Sequence, residues 1–484
     1  MNTLFENINS NDLFSFDRIK SEKMLFVSEE SSVSYGDIKS LSEQPEIKAT
    51  CGLLVITLVD NSIDSLSGYL ALLIANSVQL LQSPEISKST FRSLINSYSP
   101  SYMWLPQART IELGSGEVVA IYRSFCLVRL KSASYFVNRS LALLLATSGS
   151  TGSPKFVRLS QMNVLSNAKS IASYLMLNSD EIPITTLPPS YTYGLSIIHS
   201  HFLVGATIAI TNKTFFDRAF WNFLRKVNAT SLGGVPYHYE MLKKLRFSKM
   251  ELPSLRTLTQ AGGRMEPELS LEFATHCHMR GMRFFTMYGQ AEATSRMSYL
   301  PSNKAISKAG SIGIAIPYGE FWLEDENGQV IYHPHVPGEL VYKGPNVSMG
   351  YAYGYKDLAK DDERCSVLRT GDVAKRDQDG DYFIVGRLKR FIKLFGHRVN
   401  LLDVEKHLVD AGYSVACAGQ DDRLEIYVTD PSQSEATEIK TIIIEFLKVA
   451  PLGVAVIGIK SLPRSTAGKI QYAELTPNMG EQLA

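Results

Sequence analysis

The sequence predicts an α/β protein with a large N-terminal domain and a small α+β C-terminal domain. Through the first three-quarters of the chain, apolar runs rich in Val, Ile and Leu alternate with amphipathic stretches, which is typical of parallel sheets flanked by helices. From Val404 onward the order changes to helix, strand, strand, helix and strand. The 484 residues are enough for roughly three domain-sized units.

The large domain is predicted to begin with alternating strands and helices. The predicted strands are Leu53–Leu58, Leu141–Ala146 and Ala206–Thr211, and the predicted helices are Ser65–Ala75, Asn163–Tyr174 and Phe215–Val227. The segment Phe321–Tyr342 differs, because turn sequences split it into short strands. This pattern predicts a small antiparallel or barrel-like subdomain. In the C-terminal domain the predicted elements are Val404–Asp410, Val415–Ala418, Arg423–Val428, Ser434–Val449 and Ala455–Ile459.

The composition excludes several classes of protein. The 49 basic and 48 acidic residues nearly cancel, so no global field favours nucleic acid or an anionic membrane. The five cysteines are scattered without a Cys-x-x-Cys motif, which suits a reducing compartment. The sequence has no secretory signal pattern and no apolar run long enough to cross a bilayer. We therefore expect a cytoplasmic protein without membrane insertion and without a nucleic-acid partner.

A loop rich in hydroxyl groups and glycine follows the apolar run Leu141–Ala146. It consists of Thr147, Ser148, Gly149, Ser150, Thr151 and Gly152, and Lys155 follows it. Such a loop can direct backbone N–H groups and hydroxyls at one anion. It is not a Walker A loop, because it has no Gly-Lys pair, and it has no Gly-x-Gly-x-x-Gly fingerprint. Phosphate binding of another kind is predicted, and a plain surface turn is the alternative.

Four later motifs follow this loop in the chain. They are Tyr288-Gly-Gln-Ala-Glu292, Thr370-Gly-Asp372, the basic segment from Gly386 to Arg398, and Pro463-Arg-Ser-Thr-Ala-Gly-Lys469. In this order, the five motifs resemble those of the adenylate-forming superfamily, which contains acyl-CoA synthetases, peptide-synthetase adenylation domains and beetle luciferases. The resemblance extends from about Thr147 to Lys469.

The resemblance implies a role for each motif. The loop Thr147–Lys155 would hold the β- and γ-phosphates of ATP, and Lys469 would approach the α-phosphate and the substrate carboxylate. Glu292 would help to hold Mg²⁺, and Asp372 and Arg387 would bind the ribose hydroxyls. The implied catalytic residues are Lys469, Glu292 and Thr147. The other implied nucleotide-binding residues are Ala261, Gly262 and Gly263 at the adenine site, Tyr288, Gly289, Gln290, Ala291, Arg387 and Lys393.

The resemblance also implies a domain organisation. Residues 1–386 would form the AMP-binding domain, residues 387–391 a hinge that contains Lys389, and residues 392–484 a mobile lid. Gly396, His397 and Arg398 would face the thiol acceptor, which is CoA or the phosphopantetheine of an acyl carrier protein. For the basic segment from Arg387 to Arg398, the alternative is a patch that binds nucleic acid or a membrane. The Leu, Phe and Ile residues between its basic residues favour a folded hinge instead.

The sequence also contains a candidate acyl pocket. Tyr191, Tyr193 and Gly194 resemble the segment that shapes the acyl pocket in the superfamily, and His238 is a further candidate. This segment has no carboxylate to pair with an ammonium group, and an unpaired buried ammonium is costly. The sequence therefore disfavours an α-amino acid and favours a small or medium carboxylic acid.

One motif departs from the family pattern, because Ala291 stands where the superfamily usually has threonine before the glutamate. The missing hydroxyl contact is worth about 1 kcal/mol, so we expect slower adenylation. The sequence thus predicts an acid–thiol ligase that uses ATP and Mg²⁺. Two alternatives stay open: a stand-alone adenylation protein for an amino or hydroxy acid, and a non-catalytic nucleotide-binding regulator.

Overall fold

The computed structural model describes residues 19–131, 134–147, 155–394, 397–420, 422–447, 449, 451–464, 470–475 and 481–483. The chain divides into two compact units. The first unit extends to Phe321 and also contains Tyr342–Leu368, and the second unit contains Trp322–Val341 and everything from Arg369 onward. This division places the end of the predicted AMP-binding domain in the second unit. The boundary at residues 387–391 stays a prediction.

The α-helices of the described residues, in chain order, are α1 Tyr35–Glu43, α2 Pro45–Lys48, α3 Ile63–Ile74, α4 Lys88–Tyr98, α5 Gln161–Tyr174, α6 Thr192–Leu203, α7 Arg218–Lys226, α8 Pro236–Lys244, α9 Pro267–Met279, α10 Leu401–Asp410 and α11 Gln433–Leu447. None of the helices in this part of the chain is both long and apolar enough to span a bilayer.

The strands, in chain order, are β1 Met24–Val27, β2 Ser32–Ser34, β3 Leu54–Leu58, β4 Val78–Gln82, β5 Tyr102–Pro106, β6 Glu117–Tyr122, β7 Phe125–Arg129, β8 Leu141–Ala146, β9 Phe156–Ser160, β10 Pro183–Thr185, β11 Ile208–Ile210, β12 Ser231–Gly234, β13 Thr257–Gln260, β14 Arg283–Tyr288, β15 Ser298–Tyr299, β16 Ile314–Ala315, β17 Glu320–Glu324, β18 Gly338–Lys343, β19 Gly350–Ala352, β20 Val367–Arg376, β21 Tyr382–Arg387, β22 Phe391–Leu394, β23 His397–Asn400, β24 Val415–Gln420, β25 Arg423–Thr429, β26 Val454–Ile459 and β27 Glu481–Gln482.

Two large sheets organise the first unit. One has the order β16-β15-β14-β13-β12-β10-β11-β1-β2, and its strands from β14 to β1 are parallel. The other has the order β19-β9-β8-β4-β3-β5-β7-β6, and its central strands β8, β4, β3 and β5 are parallel. The predicted parallel sheets are confirmed in their centres. Antiparallel strands extend both sheets at their edges.

Local chemistry sets where the predicted helices begin. Ser160 and Asn163 form a reciprocal capping box at the start of α5, which satisfies two backbone donors that the first turn leaves free. The predicted helix Phe215–Val227 begins later, at Arg218. The Asp217 carboxylate accepts hydrogen bonds from the backbone N–H and the hydroxyl of Thr214, and this turn delays the helix.

A buried apolar core joins both sheets of the first unit to the helices α3, α5 and α6. It includes Leu66 and Leu70 of α3, Leu143 of β8, Leu165 of α5, Ile198 of α6 and Ile208 of β11. Parallel strands that are covered on both faces bury consecutive residues and are therefore rich in apolar side chains. The strand β3 fits this pattern, because all five of its residues are buried.

The second unit contains the predicted α+β domain. Its sheet has the order β24-β25-β26-β27, and α10 and α11 contribute Leu408 and Ile439 to the core formed with Ile426 and Val456. A further sheet has the order β17-β18-β20-β21, and the strands β20 and β21 are antiparallel. The short strands predicted around Phe321–Tyr342 belong to this sheet.

Candidate active site

Three parallel strands of the first unit end side by side, and the predicted adenine segment follows one of them. Gly234 at the end of β12 is in register with Gln260 of β13, and β14 continues on the far side of β13 to Tyr288. In open α/β sheets, ligands bind outside the carboxyl ends of the strands. Ala261–Gly263 and Tyr288–Glu292 therefore leave the same edge of the sheet.

The backbone conformation and the neighbours of position 262 both favour glycine. The φ of Gly262 is +84°, and a Cβ atom there would lie 2.4 Å from the hydroxyl oxygen of Tyr191. Both facts exclude a side chain, because positive φ strains other residues and the contact is far below van der Waals distance. Tyr191, predicted for the acyl pocket, thus lies against the predicted adenine segment. Burial raises the pKa of Tyr191, so it stays a neutral phenol.

The turn that carries Glu292 is tightly folded. A Cβ atom on Gly289 would lie 1.7 Å from the carbonyl oxygen of Ser295, so only glycine fits there. Ala291–Ala293 form one turn of 3-10 helix, and the hydroxyl of Thr294 donates a 2.7 Å hydrogen bond to the carbonyl of Asn346. These contacts fix the backbone from which the Glu292 side chain extends.

Glu292 has a tyrosine partner that the sequence did not indicate. The hydroxyl of Tyr351, in β19, donates a 2.8 Å hydrogen bond to Oε1 of Glu292. The ammonium of Lys155 lies 3.7 Å from the centroid of the same ring, and the guanidinium carbon of Arg364 lies 4.9 Å from it. Burial, together with the charge of Glu292, raises the pKa of Tyr351 to about 12, so the phenol remains a donor near neutral pH.

A buried arginine holds β19 at this position. Arg158 of β9 is fully buried, and its Nη2 lies 2.7 Å from Oε2 of Glu363. The guanidinium also donates to the backbone carbonyls of Tyr351, Lys360, Met349 and Asp361. Because these carbonyls belong to the segment that contains Tyr351, Arg158 positions the aromatic ring beside Lys155.

The predicted ribose residues form an ion pair in the second unit. Asp372 and Arg387 are directly opposite in the antiparallel pair β20–β21, and Nε of Arg387 lies 2.5 Å from Oδ1 of Asp372. Asp372 is buried, whereas more than half of the Arg387 side chain is exposed. The hydroxyl of Thr370 accepts a 3.1 Å hydrogen bond from the backbone N–H of Asp372, which fixes the aspartate at the strand.

The residues predicted for the acyl pocket have different surroundings. Tyr193 is buried and donates a 2.7 Å hydrogen bond to the carbonyl of Thr259. A Cβ atom on Gly194 would lie 2.5 Å from the carbonyl oxygen of Pro188. His238 packs edge-on against Phe215, with the ring centroids 5.0 Å apart. Burial lowers the pKa of His238 to about 4, so its imidazole is neutral at pH 7.

A small cavity lies between α5, α6 and the nine-stranded sheet. Its lining includes Tyr193, Ser196, Gly233, Thr259, Met287 and Arg296. Arg296 lies outside the sequence motifs, although it is the one charged residue between Glu292 and Lys304. Its guanidinium carbon lies 4.1 Å from the centroid of the Tyr193 ring.

Several predicted site residues lie outside the described part of the chain. The predicted residues not described are Ser148, Gly149, Ser150, Thr151, Gly152, Gly396 and Lys469. For four others the side chain is not described, namely Lys389, Lys393, His397 and Arg398. The backbone of Lys393 pairs with that of Arg398 in the β22–β23 hairpin. Thr147 directly follows β8 and is partly buried.

Comparisons with known proteins give the family of this chain. Residues 52–352 match the model of the family described as AMP-binding enzyme. The chain therefore belongs to the AMP-binding enzyme family, within the adenylate-forming superfamily, and its relatives make it an enzyme of the acid–thiol ligase class.

Two curated relatives illustrate the likeness. The chain is 29% identical to oxalate–CoA ligase of Arabidopsis thaliana over 385 residues, which cover 75% of this chain and 72% of that protein. It is also 29% identical to a feruloyl-CoA synthase of an Amycolatopsis species, where the match covers 57% of this chain and 56% of that protein. The match therefore spans little more than half of the length of this feruloyl-CoA synthase.

Solved structures share the fold over nearly the whole chain. O-succinylbenzoate coenzyme A synthetase of Bacillus subtilis, in complex with ATP and a magnesium ion, superposes with a TM-score of 0.76 at 20% identity, covering 96% of this chain and 98% of that one. The complex of the same enzyme with its acyl-adenylate intermediate has a TM-score of 0.76 at 19% identity, covering 97% and 98%. These likenesses confirm the predicted fold class.

Proposed function

We propose that this enzyme activates a small carboxylic acid with ATP and Mg²⁺ and transfers the acyl group to CoA. The observation that carries the proposal is the contact of Tyr351 with both Glu292 and Lys155. It links the predicted magnesium carboxylate to the lysine of the predicted phosphate loop through one ring. The phosphopantetheine of an acyl carrier protein is an alternative acceptor, because it ends in the same thiol group as CoA.

The residues present fit magnesium bound mainly through the nucleotide. Magnesium sites in nucleotide-dependent enzymes use one or two carboxylates, with phosphate oxygens and water completing the octahedron. In the described part of the chain no group of three or more His, Cys, Asp or Glu residues is arranged to hold a metal. Glu292 would be the protein ligand, and the ion would supply charge neutralisation on the leaving pyrophosphate.

In the proposed first step, a carboxylate oxygen of the acid attacks the α-phosphorus of ATP, and the bond to the pyrophosphate oxygen breaks. Two anions must approach each other, so the protein contributes alignment and positive charge. Lys155 would neutralise the β- and γ-phosphates, and Lys469 would approach the α-phosphate and the attacking carboxylate. Asp372 would hold the ribose through its hydroxyls.

In the proposed second step, the thiol of the acceptor attacks the acyl carbon, loses its proton and displaces AMP. The acyl-adenylate is reactive and must be kept from water. We propose that residues 392–484 act as a lid that moves about the hinge at 387–391, where Lys389 lies. After adenylation this motion would bring Gly396, His397 and Arg398 towards the thiol. Lys393 would contact the nucleotide.

The test is isotopic ATP–pyrophosphate exchange with a panel of carboxylic acids, followed by product analysis with CoA or a phosphopantetheinylated carrier. We expect exchange with at least one small acid and a thioester only when a thiol is added. Lys469→Ala should abolish exchange yet still transfer a supplied acyl-adenylate. The matched control is Lys460→Ala, since Lys460 is exposed near the end of β26. Exchange with no acid would overturn the proposal.

A further inference from the structure

Arg296 is a buried cation for which the described part of the chain supplies no buried anion. Its side chain is 3% exposed, and Nη1 donates a 2.7 Å hydrogen bond to the hydroxyl of Ser295. Its Nε atom has no hydrogen-bond partner among the residues that the structure describes. Arg158, which is also deeply buried, has a carboxylate at 2.7 Å and several carbonyl acceptors. Arg296 therefore differs from an arginine that serves the fold.

The surroundings of Arg296 do not neutralise its charge. None of the described residues that line the cavity is acidic, and the aromatic face of Tyr193 supplies only a weak cation–π attraction. Burying an unpaired charge costs considerably more than that. A ligand that brings a negative charge to the cavity would supply the missing partner.

The cavity has the size of a small anionic group. It holds about 30 Å³ of free space, and a buried water needs roughly 10–15 Å³, so two or three non-hydrogen atoms fit. A carboxylate group has three. Gly233 keeps this space open, because a Cβ atom there would lie 3.0 Å from the Tyr193 hydroxyl and 3.1 Å from Cδ1 of Ile197.

The cavity adjoins the predicted acyl pocket. The charge of Arg296 lowers the pKa of both Tyr191 and Tyr193 against the effect of burial, so the guanidinium acts on both phenols. Tyr191 in turn lies against Gly262, in the predicted adenine segment. An acid whose reacting carboxylate is near the nucleotide would direct its far end towards Arg296.

On the basis of the proposed function, we infer that Arg296 binds a second carboxylate of the substrate, so that the enzyme acts on a short dicarboxylic acid. Arginine presents a planar fork of donors that matches a carboxylate in two parallel hydrogen bonds. The Nε atom without a partner and the Nη atoms provide such donors. The reacting carboxylate stays free to attack ATP.

The experiment compares acids of equal carbon number, malonate with propionate and succinate with butyrate, in ATP–pyrophosphate exchange. A site built to hydrogen-bond a polar group rejects analogues that lack it, so we expect at least about a 100-fold preference in kcat/KM for one of the dicarboxylates. Arg296→Met should remove that preference, with less than about a fivefold change for the monocarboxylate. Arg296→Lys should retain part of it. Arg92→Met, at an exposed position of α4, is the matched control.

Three results would overturn the inference: a preference for the monocarboxylates, equal activity on both members of each pair, or an equal loss for both acids in Arg296→Met. If no acid supports exchange, the proposed function fails, and calorimetric titration of malonate and succinate decides the inference separately. Binding to the wild type that Arg296→Met abolishes would support an anion site, and absence of binding would refute it. Thermal unfolding adds a readout, since Arg296→Met should not be less stable if Arg296 serves the ligand.

Discussion

Tyr351 donates a 2.8 Å hydrogen bond to Glu292 across 59 positions of sequence. The same ring lies beneath the ammonium of Lys155. One tyrosine therefore orients the proposed magnesium ligand through its hydroxyl and the phosphate-loop lysine through its aromatic face. The two contacts can be separated by substitution.

Tyr351→Phe keeps the ring and removes the hydroxyl. Loss of a hydrogen bond that orients a metal ligand typically weakens metal binding by 10- to 100-fold, so we expect the Mg²⁺ concentration for half-maximal rate to rise by about tenfold or more. Tyr351→Leu should in addition raise the KM for ATP, because Lys155 loses its aromatic contact. Tyr353→Phe, at an exposed position, is the control, and equal magnesium titration curves for the two phenylalanine variants would contradict the assignment.

Asp372→Asn should weaken ATP binding with little effect on stability. Hydrogen bonds to a charged group contribute about 1.5–3 kcal/mol, so the KM for ATP should rise by about 10- to 100-fold. The ion pair with the half-exposed Arg387 contributes about 1 kcal/mol or less to folding. Asp379→Asn, on the turn between the same two strands, should leave the KM unchanged. A normal KM in Asp372→Asn would remove Asp372 from the nucleotide site.

Ala291→Thr should accelerate adenylation. The added hydroxyl restores one neutral hydrogen bond worth about 1 kcal/mol, which corresponds to about a fivefold increase in rate. Ala291→Val has the same shape without the hydroxyl and should give no increase. Single-turnover measurement of acyl-adenylate formation tests the pair, and equal rates in the two variants would show that the hydroxyl has no role.

The first unit should lose stability in mild acid through His201. Burial lowers the pKa of His201 to about 4, below the usual value near 6.5, so the unfolded chain binds a proton that the folded chain does not. Stability is complete above pH 6.5 and falls as the pH decreases towards about 4. One such proton gives a slope of about 1.4 kcal/mol per pH unit. Denaturant unfolding at pH 7, 6 and 5 should show a shallower slope in His201→Gln, and an unchanged slope would contradict the prediction.

Arg158→Leu should destabilise the first unit. Removing the guanidinium leaves several backbone carbonyls without their donor, and each buried acceptor left unsatisfied costs about 1–3 kcal/mol. Glu363→Gln is the matched substitution at the other end of the pair. Because glutamine keeps an oxygen acceptor and the backbone carbonyls keep their donor, we expect this change to cost less than Arg158→Leu. Equal unfolding midpoints in urea for the two variants would show that Arg158 does not hold β19.

The sequence by itself determined the alternation of strands and helices, the separate C-terminal pattern and the order of the motifs. These features are local, because burial on both faces selects apolar strands such as β3 and β8, and caps such as Ser160 set helix ends. The residues Glu292 and Asp372 could also be identified from local sequence, since each lies in a short characteristic motif.

Only the tertiary structure decided which distant residues meet these motifs. Tyr351 and Arg158 contribute to the site through the pairing of β19 with β9, and nothing in the sequence near either residue indicates that pairing. In the sequence Arg296 is only the one charge between Glu292 and Lys304, and its burial depends on how α5 and α6 pack on the sheet. Long-range packing sets the dielectric environment and the partner of each charge, so it decides which charges serve the fold and which require a ligand.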